Sequence, residues 1–199
     1  MPRPKLHDDA LRVRLLDIAG VMVTSGGPNA LSLRKLAAEA KTSTTAVYSL
    51  FGGKVEVLRA LFVEAFARFG THQNAVPPSD DPLADILALG RAYRVSAITS
   101  PHLYAVMFGS PAPGFDPTPQ DWERAEATFT PLLDAVRRAV AAGLLRDAGP
   151  GLIATALWAN VHGLVSLELG RAMPAQAGAP ADVFEAALRA CLDGWRTNR

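Results

Sequence analysis

Residues 32–58 of this 199-residue chain, SLRKLAAEAKTSTTAVYSLFGGKVEVL, constrain its fold more than any other stretch. Two short segments with helix-spaced apolar residues lie on either side of a break at Lys41, and Gly52 and Gly53 separate them from a longer apolar-periodic helix. Ser32 and Ser43 stand where the two short helices need N-caps. Two helices joined by such a turn form a helix-turn-helix, whose second helix enters the DNA major groove. The stretch therefore predicts this motif.

Helical periodicity continues along the rest of the chain, and no segment shows the alternation of a strand. We expect the first helix to begin near Asp8 or Asp9, where an acidic side chain can cap it. Polar loops containing proline are predicted at 73–82 and 109–119. The predicted fold class is all-α with about nine helices, at 8–24, 32–40, 44–50, 54–70, 82–99, 101–109, 119–143, 150–171 and 181–196.

Charge is distributed unevenly along the chain. Residues 1–60 carry nine Lys or Arg against five Asp or Glu, whereas residues 61–199 carry eleven against fourteen. A basic first part favours an anionic partner for that part alone. Together with the loop at 73–82, this predicts three segments: a helix-turn-helix domain over 1–52, a connecting helix over 53–72, and a C-terminal domain over 73–199. The expected roles of the C-terminal domain, ligand binding and dimerisation, rest on its aromatic residues and on the family resemblance described below.

Composition argues against several other classes of protein. No apolar run reaches 18 uninterrupted residues, so we expect no transmembrane helix and no membrane partner. The start of the chain lacks the apolar core of a secretory signal. Cys191 is the single cysteine, and no cluster has the spacing of a metal site. We therefore expect a cytoplasmic protein without a metal or another cofactor.

The candidate DNA-contacting residues surround the predicted turn. Short polar side chains at the start of the second helix allow close approach to base edges. The phenol of Tyr48, and the ammonium of Lys54 beside the free N–H groups of the next helix, can reach phosphates. Arg3 and Lys5 are expected to form a basic arm before the first helix. The full set is Arg3, Lys5, Arg34, Lys41, Ser43, Thr44, Thr45, Tyr48 and Lys54.

The string LSLRKLAAEAKTSTTAVYSLFGGKVEVLRALF resembles the N-terminal domain of the TetR family of transcriptional regulators. The resemblance covers roughly residues 8–70. It rests on AAEA before the turn, on S-x-x-x-V-Y-x-x-F in the second helix, and on the spacing of Gly52, Lys54, Val57 and Leu58. It implies DNA-contacting roles for Ser43, Thr44, Thr45, Tyr48 and Lys54, and core positions for Val47 and Phe51.

Two residues depart from the family pattern. Lys41 stands where the turn usually has glycine, so a lysine with positive φ is expected there, under mild strain. Gly53 stands where the family often has a serine or asparagine cap, and it is a weaker cap. Neither departure alters the predicted motif.

The C-terminal part offers a weaker resemblance and a set of aromatic side chains. WANVHGLVSLELG at 158–170 resembles a Trp-x-x-x-His-Gly signature in one group of TetR-like C-terminal domains, and HLYAVMFG at 102–109 resembles a short helix of that group. Single aromatic residues more often pack in a core, but the set also indicates a pocket for a hydrophobic, largely uncharged effector. His162 either packs as a hydrogen-bonded core group or orients that ligand. The candidates are Tyr93, Tyr104, Met107, Phe108, Trp122, Phe129, Trp158 and His162.

The last two helices carry apolar stripes that either bury within their own domain or, as the resemblance implies, pair with a second subunit. A homodimer would place two recognition helices on an inverted repeat of double-stranded DNA. The predicted function is a dimeric transcriptional regulator, a repressor released by a hydrophobic small molecule. The alternatives are an architectural DNA-binding protein without effector and an all-helical enzyme with a hydrophobic substrate. No catalytic arrangement converges in the body, so we do not expect an enzyme. The stripes comprise Ile153, Ala156, Leu157, Leu164, Val165, Phe184, Leu188, Cys191, Leu192 and Trp195.

Overall fold

A computed structural model of the chain describes residues 5–26, 30–109 and 115–197, with side chains from residue 8 onward. These ranges contain ten α-helices and no β-strand, which confirms the all-α prediction. A short 3₁₀ turn lies at Ala175–Ala177. The helices are α1 (Lys5–Gly26), α2 (Leu33–Glu39), α3 (Thr44–Phe51), α4 (Lys54–Asn74), α5 (Pro82–Thr99), α6 (Pro101–Phe108), α7 (Pro119–Ala127), α8 (Thr130–Ala141), α9 (Pro150–Leu169) and α10 (Pro180–Asp193).

The first helix begins earlier than predicted. Asp8 lies in the first turn of α1 and does not precede the helix, because acidic groups stabilise a helix N-terminus from within that turn as well. Lys5 is consequently the first residue of α1, and the prediction that it belongs to an arm before the helix is wrong. Arg3, the other residue of that predicted arm, lies outside the described residues, as do residues 27–29 and residues 110–114 of the predicted loop at 109–119.

Two further helix boundaries differ from the prediction. The segment 119–143 forms two helices, because Pro131 lacks an N–H and its ring would clash with the carbonyl oxygen four residues earlier; it is tolerated instead in the first turn of α8. Helix α4 continues to Asn74, one turn beyond the predicted end near residue 70. Gln73 therefore belongs to a helix, although the sequence places it in a loop.

One compact unit comprises residues 1–67 and 100–125, so α6 and most of α7 belong to the same unit as the first three helices and the first part of α4. Helix α1 contacts α2 and α6, and α2 contacts α3. The approach of α1 to α6 is close at Gly20, where a Cβ atom would lie 2.7 Å from Cδ2 of His102. The interior of this unit is apolar and includes Leu15, Leu16, Ala19, Leu36, Val47, Val57 and Leu61.

A second compact unit comprises residues 68–99 and 126–199. Helix α5 is central to it and contacts α8, α9 and α10. Its core consists of Ile86, Leu89, Ala135, Val136, Ala139, Leu145, Ile153, Ala154, Leu157 and Leu192. Each compact unit is therefore built from two separate stretches of the chain, whereas the three segments predicted from the sequence are consecutive. Those segments are defined by their expected functions, and that division stays a prediction.

Helix α9 is both long and strongly apolar. Pro150–Leu169 is long and apolar enough to span a membrane by length and composition alone, with a mean hydropathy of 1.4. A core helix of a globular domain passes the same test, and α9 packs against α5, α8 and α10. Its apolar character comes from a buried face and from a second face of small and apolar residues that is exposed in the single chain.

Candidate nucleic-acid interface and ligand cavities

The turn between α2 and α3 is closed by backbone hydrogen bonds that require a left-handed residue. The N–H of Lys41 donates to the carbonyl of Ala38 at 3.1 Å, and the N–H of Thr42 donates to that of Ala37 at 2.9 Å. This pair of bonds is the Schellman motif, whose central residue adopts positive φ. Lys41 has φ of 52°, as predicted, although glycine would adopt it with less strain.

Serine side chains cap both helices of the motif, as the sequence predicts. The hydroxyl of Ser32 accepts a hydrogen bond from the N–H of Lys35 at 3.5 Å, and that of Ser43 accepts one from Ala46 at 3.1 Å. Each cap satisfies one N–H group that the first turn leaves unpaired. The start of α3 is thereby fixed, together with the side chains that it presents.

Helix α3 has a buried side and an exposed side. Val47 is completely buried, whereas Tyr48 is 54% exposed. Phe51 is half-buried, and the guanidinium of Arg12 lies 4.9 Å from the centre of its ring, a contact that we did not predict from the sequence. The exposed side carries Ser43, Thr44, Thr45 and Tyr48. Short polar groups and one phenol are thus available on a single surface of the described chain.

Positive charge flanks this surface, but one carboxylate lies close by. Arg34 and Lys41 are exposed, and Lys54 is half-buried at the start of α4. A Cβ atom on Gly53 would lie 2.8 Å from Oε2 of Glu56, so the Glu56 carboxylate lies over the N-terminus of α4. Glu56 compensates for the weak glycine cap, because a negative charge in the first turn favours the helix. It also repels a phosphate at the place where Lys54 is expected to hold one.

The eight candidate ligand residues do not line one cavity in the described structure; four lie in each compact unit. In the first unit, Tyr104 and Phe108 pack with ring centres 5.0 Å apart, and the rings of Phe62 and Trp122 form a T-shaped pair with centres 5.5 Å apart. A cavity of about 80 Å³ lies beside them, lined by Met107 and Trp122 but by neither Tyr104 nor Phe108. Its other walls include Phe62 and Phe115, which the sequence analysis did not select.

The second unit holds the other four candidates in one connected cluster. The ring of Trp158 lies 6.1 Å from that of Phe129 and 5.9 Å from that of His162. The hydroxyl of Tyr93 lies 2.9 Å from Nδ1 of His162. Burial lowers the pKa of His162, which favours the neutral ring, and Nδ1 of a neutral ring can accept a hydrogen bond from that hydroxyl. His162 is therefore hydrogen-bonded, as a core histidine would be.

Tyr93 and Trp158 also line a second, smaller cavity of about 30 Å³, together with Gln73 at the end of α4. Gln73 is 4% exposed. The sequence contained a signal for it, because Gln73 follows Phe66 and Phe69 by seven and four residues and so continues the apolar stripe of α4. A polar residue in that register points toward the core, but the early predicted end of the helix concealed it.

Two families match the chain. The family described as "Bacterial regulatory proteins, tetR family" matches residues 15–61, and the one described as "Tetracyclin repressor-like, C-terminal domain" matches residues 86–191, more than half of the chain. The chain belongs to the TetR family. This family consists of transcriptional regulators with a helix-turn-helix DNA-binding domain, and it is not a class of enzymes.

Individual relatives agree with this assignment. The HTH-type transcriptional regulator Rv1816 of Mycobacterium tuberculosis is 28% identical over 141 residues, which make up 68% of this chain and 58% of that relative. A solved structure of a protein from Rhodococcus sp. RHA1 is 28% identical with a TM-score of 0.78, covering 94% of this chain and 96% of the other. A structure of SmeT in complex with triclosan is 25% identical with a TM-score of 0.71, covering 95% and 93%.

Proposed function

We propose that this TetR-family chain acts in the cytoplasm as a homodimeric repressor, released from an inverted-repeat operator by an uncharged, hydrophobic small molecule. The exposed polar surface of α3, beside a turn held by Lys41, supports the DNA-binding half of this proposal. Small side chains at the start of the helix allow close approach to base edges, while Tyr48, Arg34 and Lys54 bind phosphates.

The exposed face of α9 supports dimerisation. At about 100° per residue, Leu152, Ala159, Gly163 and Leu167 share one side of this helix. Leu152 is 57% exposed and Leu167 is 44% exposed, and a Cβ atom on Gly163 would meet none of the described atoms within 4 Å. Such a flat apolar face suits close packing against the same face of a second copy.

The dimer face therefore differs from the stripes selected in the sequence. Six of those residues, Ile153, Leu157, Val165, Phe184, Leu188 and Leu192, are buried inside their own unit, which is the first of the two alternatives raised by the sequence. Helix α10 contributes instead through Ala186 and Ala190, which are exposed. Both last helices remain in the proposed interface, through their opposite sides.

The effector is proposed to bind in the second unit, beside Trp158 and Tyr93. The cavity there is lined mainly by apolar side chains, and the solved structure of SmeT, which has a similar fold, is a complex with triclosan. Helix α4 carries Gln73 at this cavity and Lys54 near the DNA-reading helix. A ligand that displaces α4 would change the separation of two recognition helices, whose half-sites lie about 34–36 Å apart per turn of DNA.

Binding measurements on selected DNA test the proposal. Genomic fragments bound by the protein should contain an inverted repeat, and two chains should bind each site. An effector of this class should weaken binding about 5- to 150-fold, the usual range of allosteric coupling. Trp158→Ala and His162→Ala should reduce this ligand-induced loss of DNA affinity and leave the affinity without ligand nearly intact. Trp122→Ala, at the other cavity, should lose DNA affinity with the effector as the wild type does. A ligand response lost only in Trp122→Ala would move the effector to the first unit, and no response to any apolar compound would favour an architectural protein.

A further inference from the structure

Gln73 presents a buried hydrogen-bond donor to the small cavity of the second unit. Its side chain is 4% exposed, and its Nε2 has no hydrogen-bond partner among the described residues. Leaving a buried donor unsatisfied destabilises the folded state by about 1–3 kcal/mol. A polar residue at this core position therefore indicates a partner that the described residues do not supply.

The walls of the cavity are poorly suited to holding water. Among its ten described lining residues, Gln73, Tyr93 and Trp158 carry polar side-chain atoms, and the rest are apolar. The Tyr93 hydroxyl already lies within hydrogen-bond distance of His162. A buried water needs two to four polar partners. The cavity offers the Gln73 amide, the indole N–H of Trp158, which can only donate, and a hydroxyl that is already engaged, so a water is held weakly.

We infer that Gln73 is the specificity-determining contact of the effector site and that the effector is an uncharged, mainly apolar molecule carrying a hydrogen-bond acceptor such as a carbonyl or ether oxygen. This inference rests on the proposed ligand control. The acceptor accepts a hydrogen bond from the Nε2–H of Gln73, while the apolar part lies against Leu132, Leu157 and Trp158. A carboxylate is disfavoured, because none of the described lining residues is a cation.

The size of the cavity adds a requirement. Engineered cavities that bind benzene measure about 150 Å³, far more than the 30 Å³ present here. The ligand must therefore separate the walls, which come from α4, α5, α8, α9 and α10. Because Gln73 is part of α4, a ligand that bonds to its amide acts directly on the helix that leads to Lys54.

Two probes of the same shape isolate the hydrogen bond. Acetophenone carries a carbonyl acceptor, and ethylbenzene lacks it. Titration of the full-length protein, followed by ¹⁵N NMR of the glutamine side-chain NH₂ groups, should show acetophenone binding about tenfold more tightly, with a shift of the Gln73 resonances. Gln73→Met keeps the length of the side chain and removes the donor. It should abolish the tenfold preference without weakening ethylbenzene, whereas Gln120→Met, at an exposed glutamine of α7, should leave the preference intact.

Thermal unfolding provides a second measurement on the same variants. Gln73→Met should be at least as stable as the wild type, because it removes an unsatisfied donor. Equal affinity of the two probes for the wild type, an unmoved Gln73 resonance, or no binding of either probe would overturn the inference. DNA release is measured separately by fluorescence anisotropy. Binding that depends on Gln73 but leaves DNA affinity unchanged would contradict the proposed ligand control and keep the assignment of Gln73.

Discussion

The surface of α3 and the interior of the second unit use their candidate residues in opposite ways. Thr44, Thr45 and Tyr48 are exposed and stand on a helix held by other residues, namely Ser43 at its cap and Val47 in the core. Tyr93 and His162 instead contact each other within the second unit. A substitution on the exposed surface of α3 should therefore change DNA binding without changing stability. A substitution in the interior of the second unit should change stability as well as ligand binding.

The largest loss of stability is expected from replacing Asp85 in the second unit. Its carboxylate is 5% exposed and accepts hydrogen bonds from the Ser79 N–H at 2.9 Å, the Ser79 hydroxyl at 2.6 Å, and the Arg138 guanidinium. Asp85→Ala removes all of these bonds and should lower the free energy of unfolding by about 2–3 kcal/mol. Asp134→Ala, which removes an exposed pair with Arg137, should change it by less than about 0.5 kcal/mol in denaturant titrations.

The pH dependence of the same variant checks the cause. Burial raises the pKa of Asp85, but the hydrogen bonds from Ser79 and Arg138 outweigh it and hold the pKa below 3.8. A depressed carboxyl pKa stabilises the folded state above the unfolded pKa and ceases to do so as the pH falls through the folded value. The stability difference between wild type and Asp85→Ala should therefore be constant from about pH 5 to 8 and shrink below 3.8. A difference that persists unchanged in acid would exclude the ionised carboxylate as its source.

The second prediction concerns base readout on α3. Thr44→Ala and Thr45→Ala should each weaken binding to the preferred operator by about 1–3 kcal/mol if the replaced group makes a good base contact, with a smaller loss on random DNA. Neither should change the unfolding temperature appreciably, since both side chains are exposed. Equal losses on the two DNAs, measured by anisotropy, would assign these residues to phosphate binding instead. A large loss of stability would contradict the contrast itself.

The motif was predictable from sequence because its determinants are local. Caps at Ser32 and Ser43, the buried position of Val47 and the positive φ at Lys41 all follow from residues within one or two turns. The ligand cavities were not predictable in this way. Which aromatic residues share a cavity depends on how distant helices pack, and the sequence offered one set where the described structure has two.

Tyr48→Phe and Lys54→Ala should weaken binding to all DNA sequences alike, because phosphate contacts carry no direct sequence information. Loss of the Lys54 charge should also reduce the slope of log affinity against log salt concentration by about one. Glu56→Gln is the opposite change, since it removes the carboxylate over Gly53, and it should strengthen binding. Unchanged affinity and salt slope in Lys54→Ala would remove Lys54 from the interface.

The smallest effect is expected at Lys41, where stability and DNA binding should change in opposite directions. Lys41→Gly relieves the strain of a φ of 52°, worth about 1 kcal/mol, but the added freedom of glycine in the unfolded chain offsets much of that gain. The net change should be a stabilisation of a few tenths of a kcal/mol, with weaker DNA binding because an exposed charge is lost. Lys41→Asn is the matched control, since asparagine tolerates the left-handed region and lacks the charge. If both variants bind DNA as the wild type does and only the glycine variant gains stability, Lys41 is a turn residue alone. If both lose affinity equally while their stabilities differ, the lysine contacts phosphate despite the strain. Function and stability are then coupled at this residue of the turn, in contrast to Thr44, Thr45 and Tyr48 on α3.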